Sequence, residues 1–310
     1  MSLTSGFMRR KRKRILGTIA LVAGVLALAP GRLPGQVRKT CEGGVTLKLN
    51  AGVMPQGSLL IVEVGGTKPF AEFAGDWDGR EIPLWREGEK TGTLHGLIGV
   101  DLEKAPGRYA WKVSWKNAAG EAKSCSAFVT VRAGKFPIER LTVEKQFVQP
   151  DPEQEKRAEE DQKKMRAILE NVTPERYWDG KFQLPLKGVT TGGNFGRRRI
   201  LNGEAKSPHA GVDFPAPAGT PVFSTQGGKV VLAEELYYSG NTIVIDHGYG
   251  IYTLYAHLLE IEAKPGQTVK TGEEIGKVGA TGRVTGPHLH WGLTVGRARV
   301  NALQIVQREP

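Results

Sequence analysis

Four histidines and one aspartate in the last third of the 310-residue chain form a set whose side chains could bind and use a metal ion. Zinc prefers nitrogen and oxygen ligands in a tetrahedral arrangement, and a catalytic zinc site keeps three protein ligands and a fourth position for water. The five residues lie in or beside short β-type runs that glycines interrupt, so strands and turns could bring them together. They are His209, Asp213, His257, His288 and His290.

The spacing within this set limits what each pair could do. In a strand, side chains alternate between faces, so His288 and His290 would share one face, and one could bind metal while the other lies beside the metal-bound water. A straight strand would separate the Cα atoms of His209 and Asp213 by about 13 Å, so both reach one ion only if the chain bends. Gly211 supplies the freedom for such a bend. Each pair alone is weak evidence for a metal site.

The elements that must position these residues are predicted to be β-strands. Runs such as TPVFSTQGGKVVLAEE, NTIVIDHGYGIYTLYAHL and PHLHWGLTV alternate with glycine-rich turns, and residues 246–250 indicate a hairpin turn. The pattern predicts an antiparallel β-sheet domain over residues 187–310. Asp246 and His247 lie at the start of this predicted turn.

A second β-rich region precedes this domain, over residues 41–135. About seven β-type runs, separated by glycine, proline, aspartate and asparagine, are typical of an immunoglobulin-like β-sandwich. His95 lies among apolar residues of one run and is expected to be structural. Cys41 and Cys125, the two cysteines of the chain, could pair in an exported protein or remain two separate buried thiols.

Residues 150–174 connect the two β regions and differ from both in composition, being rich in Glu, Lys and Gln. This composition predicts one charged linking helix, with Asp151 near its start. Apolar residues appear only late in the segment, so its first half is expected to be a solvated spacer and its second half to pack on a neighbour. The fold class as a whole is therefore predicted to be mainly β.

The N-terminus carries an export pattern. A basic cluster at residues 9–14 precedes an apolar run at residues 15–29, which is shorter than the ~20 residues needed to span a bilayer. Residues 1–35 are expected to be a signal peptide or a short inner-membrane anchor, which would contact the membrane, and either predicts a periplasmic or cell-envelope protein. The cluster supplies six of the formal charge of +11, leaving +5 for the remainder. So mild an excess does not favour nucleic-acid binding.

Four segments occur in an order that resembles the lysostaphin and LytM-type zinc metalloendopeptidases, over about 125 residues. The motifs are F-G, H-x-x-x-D, Y-A-H-L and T-G-x-x-T-G-P-H-L-H, and they lie at residues 195–196, 209–213, 255–258 and 281–290. The combination is highly specific, and every position of these motifs is present.

The resemblance implies a role for each residue of the set. His209, Asp213 and His290 would bind one Zn2+ ion, and His257 and His288 would be catalytic residues that flank a metal-activated water. His247 corresponds to a position outside the metal set and would stabilise the turn at residues 246–250, and Asp246 would likewise be structural. The implied fold is the duplicated-hybrid-motif β-sheet domain of these peptidases. The implied reaction is hydrolysis of peptide bonds in peptidoglycan cross-links, with zinc activating the water and polarising the carbonyl.

Several alternatives accompany this interpretation. The bond is expected to be D-alanyl–diaminopimelate, with glycine bridges as the alternative. The chain could instead be a binding factor that activates or recruits another cell-wall hydrolase, so a hydrolase or envelope protein is an expected partner beside peptidoglycan. Asn194 and Arg197 to Arg199 could contact substrate at the groove rim or form a solvated turn. A likeness to biotinyl and lipoyl carriers near Lys270 and Lys277 is weaker, because neither lysine has a carrier's setting.

Overall fold

The computed structural model describes residues 35–66, 71–86, 92–189 and 192–306, and all of them belong to one compact unit. The chain is mainly β, as predicted. Residues 1–34, where the signal peptide or anchor is predicted, lie outside the described part of the chain. No helix within the described ranges is long and apolar enough to cross a membrane.

Among its described residues, the first region contains ten strands and one 3-10 turn at Glu42–Gly44. The strands are β1 (Val37–Thr40), β2 (Thr46–Leu49), β3 (Val53–Pro55), β4 (Ser58–Gly65), β5 (Ala71–Trp77), β6 (Arg80–Ile82), β7 (Trp85–Arg86), β8 (Leu94–Val100), β9 (Gly107–Lys116) and β10 (Ala122–Arg132). They form two five-stranded sheets, with the orders β1-β2-β4-β8-β7 and β3-β10-β9-β5-β6. Neighbouring strands are antiparallel except β3 and β10, which are parallel.

The two sheets share one apolar core, so this region is a β-sandwich, as predicted. Side chains alternate between the faces of a strand, and the inward set from each sheet fills the space between them. Leu60 and Ile98 of one sheet and Trp111 of the other are fully buried in the same cluster. Cys41 and Cys125 form a disulfide, which answers the question that the sequence left open. Closing a loop of 84 residues typically stabilises a fold by about 4 kcal/mol.

A linking segment follows the sandwich and contains β11 (Ile138–Leu141), a 3-10 turn at Lys145–Phe147 and helix α1 (Pro152–Glu170). The helix begins where predicted, because the Asp151 side chain accepts two backbone hydrogen bonds from the first turn in a capping box. Its late apolar residues pack on the sheet that follows, also as predicted: Met165, Ile168 and Leu169.

The remaining strands build a small sheet and a large one. They are β12 (Arg198–Leu201), β13 (Glu204–Ala205), β14 (Gly211–Pro215), β15 (Pro221–Phe223), β16 (Gly228–Leu236), β17 (Gly240–Gly248), β18 (Ile251–Ile261), β19 (Thr268–Val269), β20 (Glu274–Val278), β21 (His288–Val295) and β22 (Ala298–Val300), followed by the short helix α2 (Leu303–Val306). The small sheet has the order β11-β12-β13, and β11 runs parallel to β12. The linking segment therefore contributes one strand beside the later region.

The large sheet has nine strands, and every pairing in it is antiparallel. Its main order is β14-β21-β18-β17-β16-β19, while β20 pairs with both β15 and β18, and β22 pairs with β21. This is the antiparallel β-sheet that the sequence predicts.

The sandwich and the large sheet share a second apolar core. Leu59 and Leu97 of the sandwich belong to the same buried cluster as the large-sheet strands. Trp85 lies at the centre of this junction, with its ring 5.4 Å from that of Trp178 in edge contact and 5.4 Å from that of Tyr249 in stacked contact. Aromatic pairs of this kind add about 0.5–1.5 kcal/mol beyond the area that they bury.

An ion pair reinforces the same junction. The Arg299 guanidinium of β22 donates to both carboxylate oxygens of Asp101, which follows β8, at 2.8 and 3.1 Å. Burial alone would raise the pKa of Asp101, but the hydrogen bonds from Arg299 outweigh it and lower the pKa. Apolar and ionic contacts thus hold the sandwich against the large sheet.

Candidate metal centre

Strand pairing brings Asp213 and His290 together. β14 and β21 are antiparallel neighbours, and Asp213 stands directly opposite His290 in their register. Opposed residues of an antiparallel pair project their side chains to the same face, with Cβ atoms about 5 Å apart. The Nδ1 atom of His290 accordingly lies 3.0 Å from Asp213 Oδ1.

His209 precedes β14 and reaches the same place from a loop. Its backbone N–H donates to the carbonyl of Arg197 at 2.9 Å, and its ring Nδ1 is 3.0 Å from the carbonyl oxygen of Asn194. Its Nε2 atom then lies 2.8 Å from His290 Nδ1 and 3.0 Å from Asp213 Oδ1. The chain therefore bends between His209 and Asp213, as the sequence predicts for residues that meet.

Gly211 has a different role from the predicted one. It is already the first residue of β14, and a Cβ atom at this position would lie 2.5 Å from His290 Nε2 and 2.8 Å from the carbonyl oxygen of Trp291. No real Cβ contact is so short, so glycine is required here to leave room for the His290 ring. The requirement is space and not freedom to bend.

We call His209, Asp213 and His290 the metal-centre cluster. One ligand atom from each residue lies within 4.8 Å of the other two, which makes this a group that could hold a metal ion. Burial lowers the pKa of His290 to about 4, so its imidazole is neutral at pH 7. Burial would raise the pKa of Asp213, but the adjacent rings of His209 and His290 outweigh it and hold the pKa well below the usual range.

The proton positions show why a cation fits this cluster. A carbonyl oxygen only accepts hydrogen bonds, so His209 must carry its proton on Nδ1, facing Asn194. Its Nε2 lone pair then faces Asp213 Oδ1 at 3.0 Å and His290 Nδ1 at 2.8 Å. Among these three electron-rich atoms, the one proton available for a hydrogen bond is that of His290 Nδ1, when this nitrogen carries it. Two imidazole nitrogens and a carboxylate oxygen are a donor set that suits zinc.

His257 and His288 lie beside the cluster. Their ring centroids are 4.9 Å apart, and the His257 ring is 5.9 Å from that of His290. The Nδ1 atom of His257 faces the carbonyl of Thr281 at 2.9 Å, and that of His288 faces the carbonyl of Gly286 at 2.8 Å. Both rings therefore carry the proton on Nδ1 when neutral, and the Nε2 of His288 lies 3.8 Å from Asp213 Oδ1.

The environment of His257 is unusual in two ways. Burial, and then the charges of His290 and His288, lower its pKa to about 3. Its backbone adopts a left-handed conformation with φ of 64°, held by a hydrogen bond from its N–H to the carbonyl of Ser239 at 2.9 Å. Such strain at a non-glycine residue costs about 1–3 kcal/mol and is concentrated at functional sites.

The second oxygen of Asp213 has its own partners. Asn194 Nδ2 donates to Asp213 Oδ2 at 3.3 Å, and the Arg199 guanidinium lies 3.7 Å from the same oxygen. Both residues line a cavity of about 260 Å3 that also reaches Asp213, His257 and His288. Asn194 and Arg199 therefore line the groove and do not form the solvated turn that was the alternative prediction.

The other two arginines of the predicted rim have different positions. Arg197 pairs with Glu139 at 2.8 Å, and Arg198 is exposed. Neither is part of the cavity lining. Of the three arginines, Arg199 lines the groove, and Arg197 and Arg198 do not.

One wall of the cavity comes from a segment to which the sequence analysis assigned no role. Glu139 and Leu141 of β11, together with Val143, line the cavity opposite the loop that leads to His288. Glu139 Oε2 lies 3.7 Å from Arg199 Nε, and a ring contact between Phe136 and Phe195 holds the strand in place. The short β-type run at residues 136–143 was the signal that could have indicated this strand, but not its partner.

His247 and Asp246 have structural partners. His247 is fully buried, with Nδ1 2.7 Å from the carbonyl oxygen of Gly227 and Nε2 2.7 Å from the hydroxyl of Thr253. Asp246 accepts hydrogen bonds from Thr173 at 2.5 Å and from the backbone N–H of Gly248 at 2.8 Å. Both residues lie in β17 and not in the turn where the sequence predicted them, because the strand extends to Gly248 and the turn is limited to residues 249 and 250. Their contacts are structural, but those of His247 are with Gly227, just before β16, and with Thr253 of β18.

Comparison with known proteins finds similarity in the part of the chain that holds these residues. Residues 207–302 match the model of peptidase family M23, and this range contains the whole metal-centre cluster as well as His257 and His288. Two relatives come from Vibrio cholerae serotype O1. Peptidoglycan DD-endopeptidase ShyB is 44% identical over 116 residues, and peptidoglycan DD-endopeptidase ShyA is 46% identical over 112 residues.

The extent of these similarities differs between sequence and structure. The two alignments cover 37% and 36% of this chain but 27% and 26% of the relatives, so the chain spans about a quarter of their length. A crystal structure of a candidate peptidase M23 from Pseudomonas aeruginosa is 28% identical, with a TM-score of 0.63. It covers 83% of this chain and 96% of its own, so the shared fold includes the sandwich as well as the large sheet.

Proposed function

We propose that this chain is a zinc-dependent endopeptidase that hydrolyses peptide bonds of peptidoglycan cross-links, because residues 207–302 match the model of peptidase family M23. The observation that carries the proposal is the convergence of three lone-pair atoms in the metal-centre cluster, all within 4.8 Å of one another. Two further imidazoles, His257 and His288, stand beside them. The substrate class is supported by the names of the two relatives, which are peptidoglycan DD-endopeptidases.

In this proposal the metal-centre cluster holds one Zn2+ ion. When bound, zinc lowers the pKa of a coordinated water toward neutrality and polarises a carbonyl as a Lewis acid. The hydrogen bond between His209 Nδ1 and the Asn194 carbonyl fixes the ring so that Nε2 faces the site. Asn194 and Arg199 hold Asp213 through Oδ2, which leaves Oδ1 directed at the two histidines.

The two remaining imidazoles would handle protons. His257 has a pKa of about 3 and stays neutral at pH 7, so its Nε2 lone pair can accept a hydrogen bond from an attacking water. His288 is oriented in the same way, because its Nδ1–H faces the carbonyl of Gly286. A proton taken up at Nε2 could then pass to the leaving amine or stabilise the oxyanion.

The scissile bond, the cellular location, the domain organisation and the protein partner complete the proposed function. We propose that the bond cut is the D-alanyl–diaminopimelate cross-link and that the chain works in the periplasm or cell envelope, exported through residues 1–35 as a signal peptide or anchor. We propose the organisation given by the sequence: a sandwich domain at residues 41–135, a linker at 150–174 and the peptidase domain at 187–310. A cell-wall hydrolase or envelope protein remains the proposed protein partner.

Muropeptide analysis tests the proposed function. Purified sacculi are incubated with the zinc-loaded chain, with and without a chelator, and in parallel with His290→Ala. We expect cross-linked dimers to disappear only with the zinc-loaded wild type, and the new ends identify the bond. A chain that binds zinc but cuts no bond, even as residues 180–310 alone, would favour a factor that activates another hydrolase.

A further inference from the structure

Arg283 lies in the groove, in the loop between β20 and β21 that leads to His288. Its backbone N–H donates to the carbonyl of Tyr238 at 2.8 Å, and its guanidinium lies over the Tyr238 ring, 4.5 Å from the centroid. Nη1 is 3.5 Å from the carbonyl oxygen of Phe147, at the outer limit of a hydrogen bond. The side chain is therefore held in place, and most of its five N–H donors are left for another partner.

The charge of Arg283 is not matched by a neighbouring carboxylate. Within the described residues, no Asp or Glu oxygen lies within 4.0 Å of its guanidinium, whereas the two carboxylates that line the cavity are already engaged. Glu139 pairs with Arg197 at 2.8 Å and lies 3.7 Å from Arg199. Asp213 faces the two histidines of the metal-centre cluster.

Partial burial makes this charge important. Burial lowers the pKa of Arg283, and the nearby charge of Arg199 lowers it further, yet a guanidinium remains protonated at neutral pH. A half-buried cation without a carboxylate attracts an anion more strongly than an exposed one, because less water screens it. Arginine also binds carboxylates through two parallel N–H donors, which fixes the orientation of the ligand.

The proposed substrate carries a carboxylate at a suitable place. In a D-alanyl–diaminopimelate cross-link, the carbon that bears the scissile amide nitrogen also bears a free carboxylate. The corresponding carbon of a lysine side chain carries hydrogen instead, and a glycine bridge has no side chain beside its amide bonds. A cation at the leaving-group side of the site would distinguish the first substrate from the other two.

We propose that Arg283 binds this free carboxylate and thereby selects diaminopimelate cross-links over lysine or glycine cross-links. The inference rests on the proposed endopeptidase function and adds a specificity-determining residue to it. Because the loop that carries Arg283 leads into His288 and both residues line the same cavity, holding the carboxylate would also position the leaving nitrogen near the imidazole that would protonate it. Arg283 itself takes no part in the proton transfers.

Two cross-linked dimers that differ in one group test the proposal: one with the free diaminopimelate carboxylate beside the scissile bond, and one with that carboxylate amidated. Binding is measured by calorimetry on the full chain with its zinc removed, and kcat/KM on the zinc-loaded chain. A charge-assisted hydrogen bond predicts a preference for the free carboxylate of about 10- to 100-fold. Arg283→Gln should abolish the preference by weakening binding of the free-carboxylate dimer alone.

Two further variants serve as controls. Arg283→Lys keeps the charge without the paired donors, so part of the preference should remain. Arg198→Gln removes a neighbouring exposed arginine that does not line the cavity, and it should behave as the wild type. Thermal unfolding is measured for each variant. A midpoint equal to that of the wild type shows that the substitution changes recognition of the dimer and not folding.

Three other results would overturn either the role of Arg283 or the endopeptidase function. Equal binding of the two dimers by the wild type overturns the role of Arg283, as does an equal loss for both dimers in Arg283→Gln, which would indicate a structural role in the loop. A binding preference that depends on Arg283, with neither dimer cut, upholds the carboxylate site and overturns the endopeptidase. Failure of one proposal is thus distinguishable from failure of the other.

Discussion

Two histidine sites, the buried His247 and the metal-centre cluster, lie in or beside the same nine-stranded sheet and differ in how their nitrogen atoms are satisfied. Around His247, the carbonyl of Gly227 and the hydroxyl of Thr253 lie 2.7 Å from the two ring nitrogens. In the metal-centre cluster, two ring nitrogens and a carboxylate oxygen face one another. Burial lowers the pKa of His247 and of His290 to about 4 in both places.

The comparison shows that burial and a low pKa do not distinguish a structural histidine from a metal ligand. What differs is whether the protein itself completes the hydrogen bonds. His247 has one acceptor and one hydroxyl for its two nitrogens, so it needs nothing more. The metal-centre cluster has too few protons for its lone pairs, so a cation would relieve their repulsion.

The largest effect should come from removing one converging ligand. His290→Ala deletes one of the three proposed ligands, and we expect bound zinc to fall from one ion per chain to almost none. Hydrolysis of cross-linked dimers should decrease by about 1000-fold or more, as for other residues that act as a unit. Zinc is measured in the purified variants by elemental analysis and cleavage by muropeptide chromatography.

His247→Gln is the matched control, because it removes a buried imidazole of similar pKa from outside the cluster. It should retain one zinc ion per chain. If His290→Ala binds zinc as well as the wild type does, or if His247→Gln loses its zinc, the distinction between the two histidine sites is wrong.

The second prediction concerns acid stability of the metal-free chain. His247 has an ordinary pKa near 6.5 when unfolded and about 4 when folded, so the unfolded state takes up a proton first as the pH falls. Its contribution to stability is therefore fully present above pH 6.5 and is lost between about pH 6.5 and 4, by about 3 kcal/mol. Glutamine does not titrate, so His247→Gln should show a shallower loss than the wild type. Urea unfolding at stepped pH measures both slopes, and equal slopes would contradict the assignment.

Much of this contrast could be predicted from the sequence, because it depends on local patterns. The alternation in PHLHW indicates a strand, and β21 begins at His288 as the pattern requires. The resemblance assigned all three ligands, and the register that sets Asp213 opposite His290 brings two of them together. The expected structural character of His247 likewise followed from the resemblance, in which its position lies outside the metal set.

The parts that could not be predicted depend on contacts between distant segments. Arg197 and Glu139 are 58 residues apart, and their contact follows from the parallel pairing of β11 with β12. No local pattern specifies that partner. The same holds for Trp85, whose apolar character was evident but whose contacts with Trp178 and Tyr249 arise only when the sandwich meets the large sheet.

A third, smaller effect tests the space that the cluster requires. In Gly211→Ala the new methyl group would lie 2.5 Å from His290 Nε2, so the ring or the strand must move. We expect zinc affinity to decrease by about 10- to 100-fold and the free energy of unfolding by about 1–3 kcal/mol. Competition with a chromophoric chelator measures the affinity.

The control for this substitution is Gly193→Ala, since a Cβ atom at Gly193 meets nothing within 4 Å. It should leave zinc affinity close to that of the wild type. If both alanine variants lose affinity equally, the loss reflects general loosening of the site and not the contact with His290.

The smallest effect should come from one hydroxyl group in the His247 pocket. Gly227 accepts the proton of Nδ1, so Nε2 must accept from Thr253, and the Thr253 oxygen can then accept from the Tyr255 hydroxyl 3.1 Å away. Thr253→Val removes both contacts while nearly preserving shape. The free energy of unfolding should fall by about 1–2 kcal/mol, because a buried nitrogen is left without a partner. Thr253→Ser keeps the hydroxyl and should lose less. Zinc content should be unchanged in both variants. If Thr253→Val releases zinc, His247 and the metal-centre cluster are coupled through the sheet. Hydrogen bonds alone would then not distinguish a structural histidine from one of the metal centre.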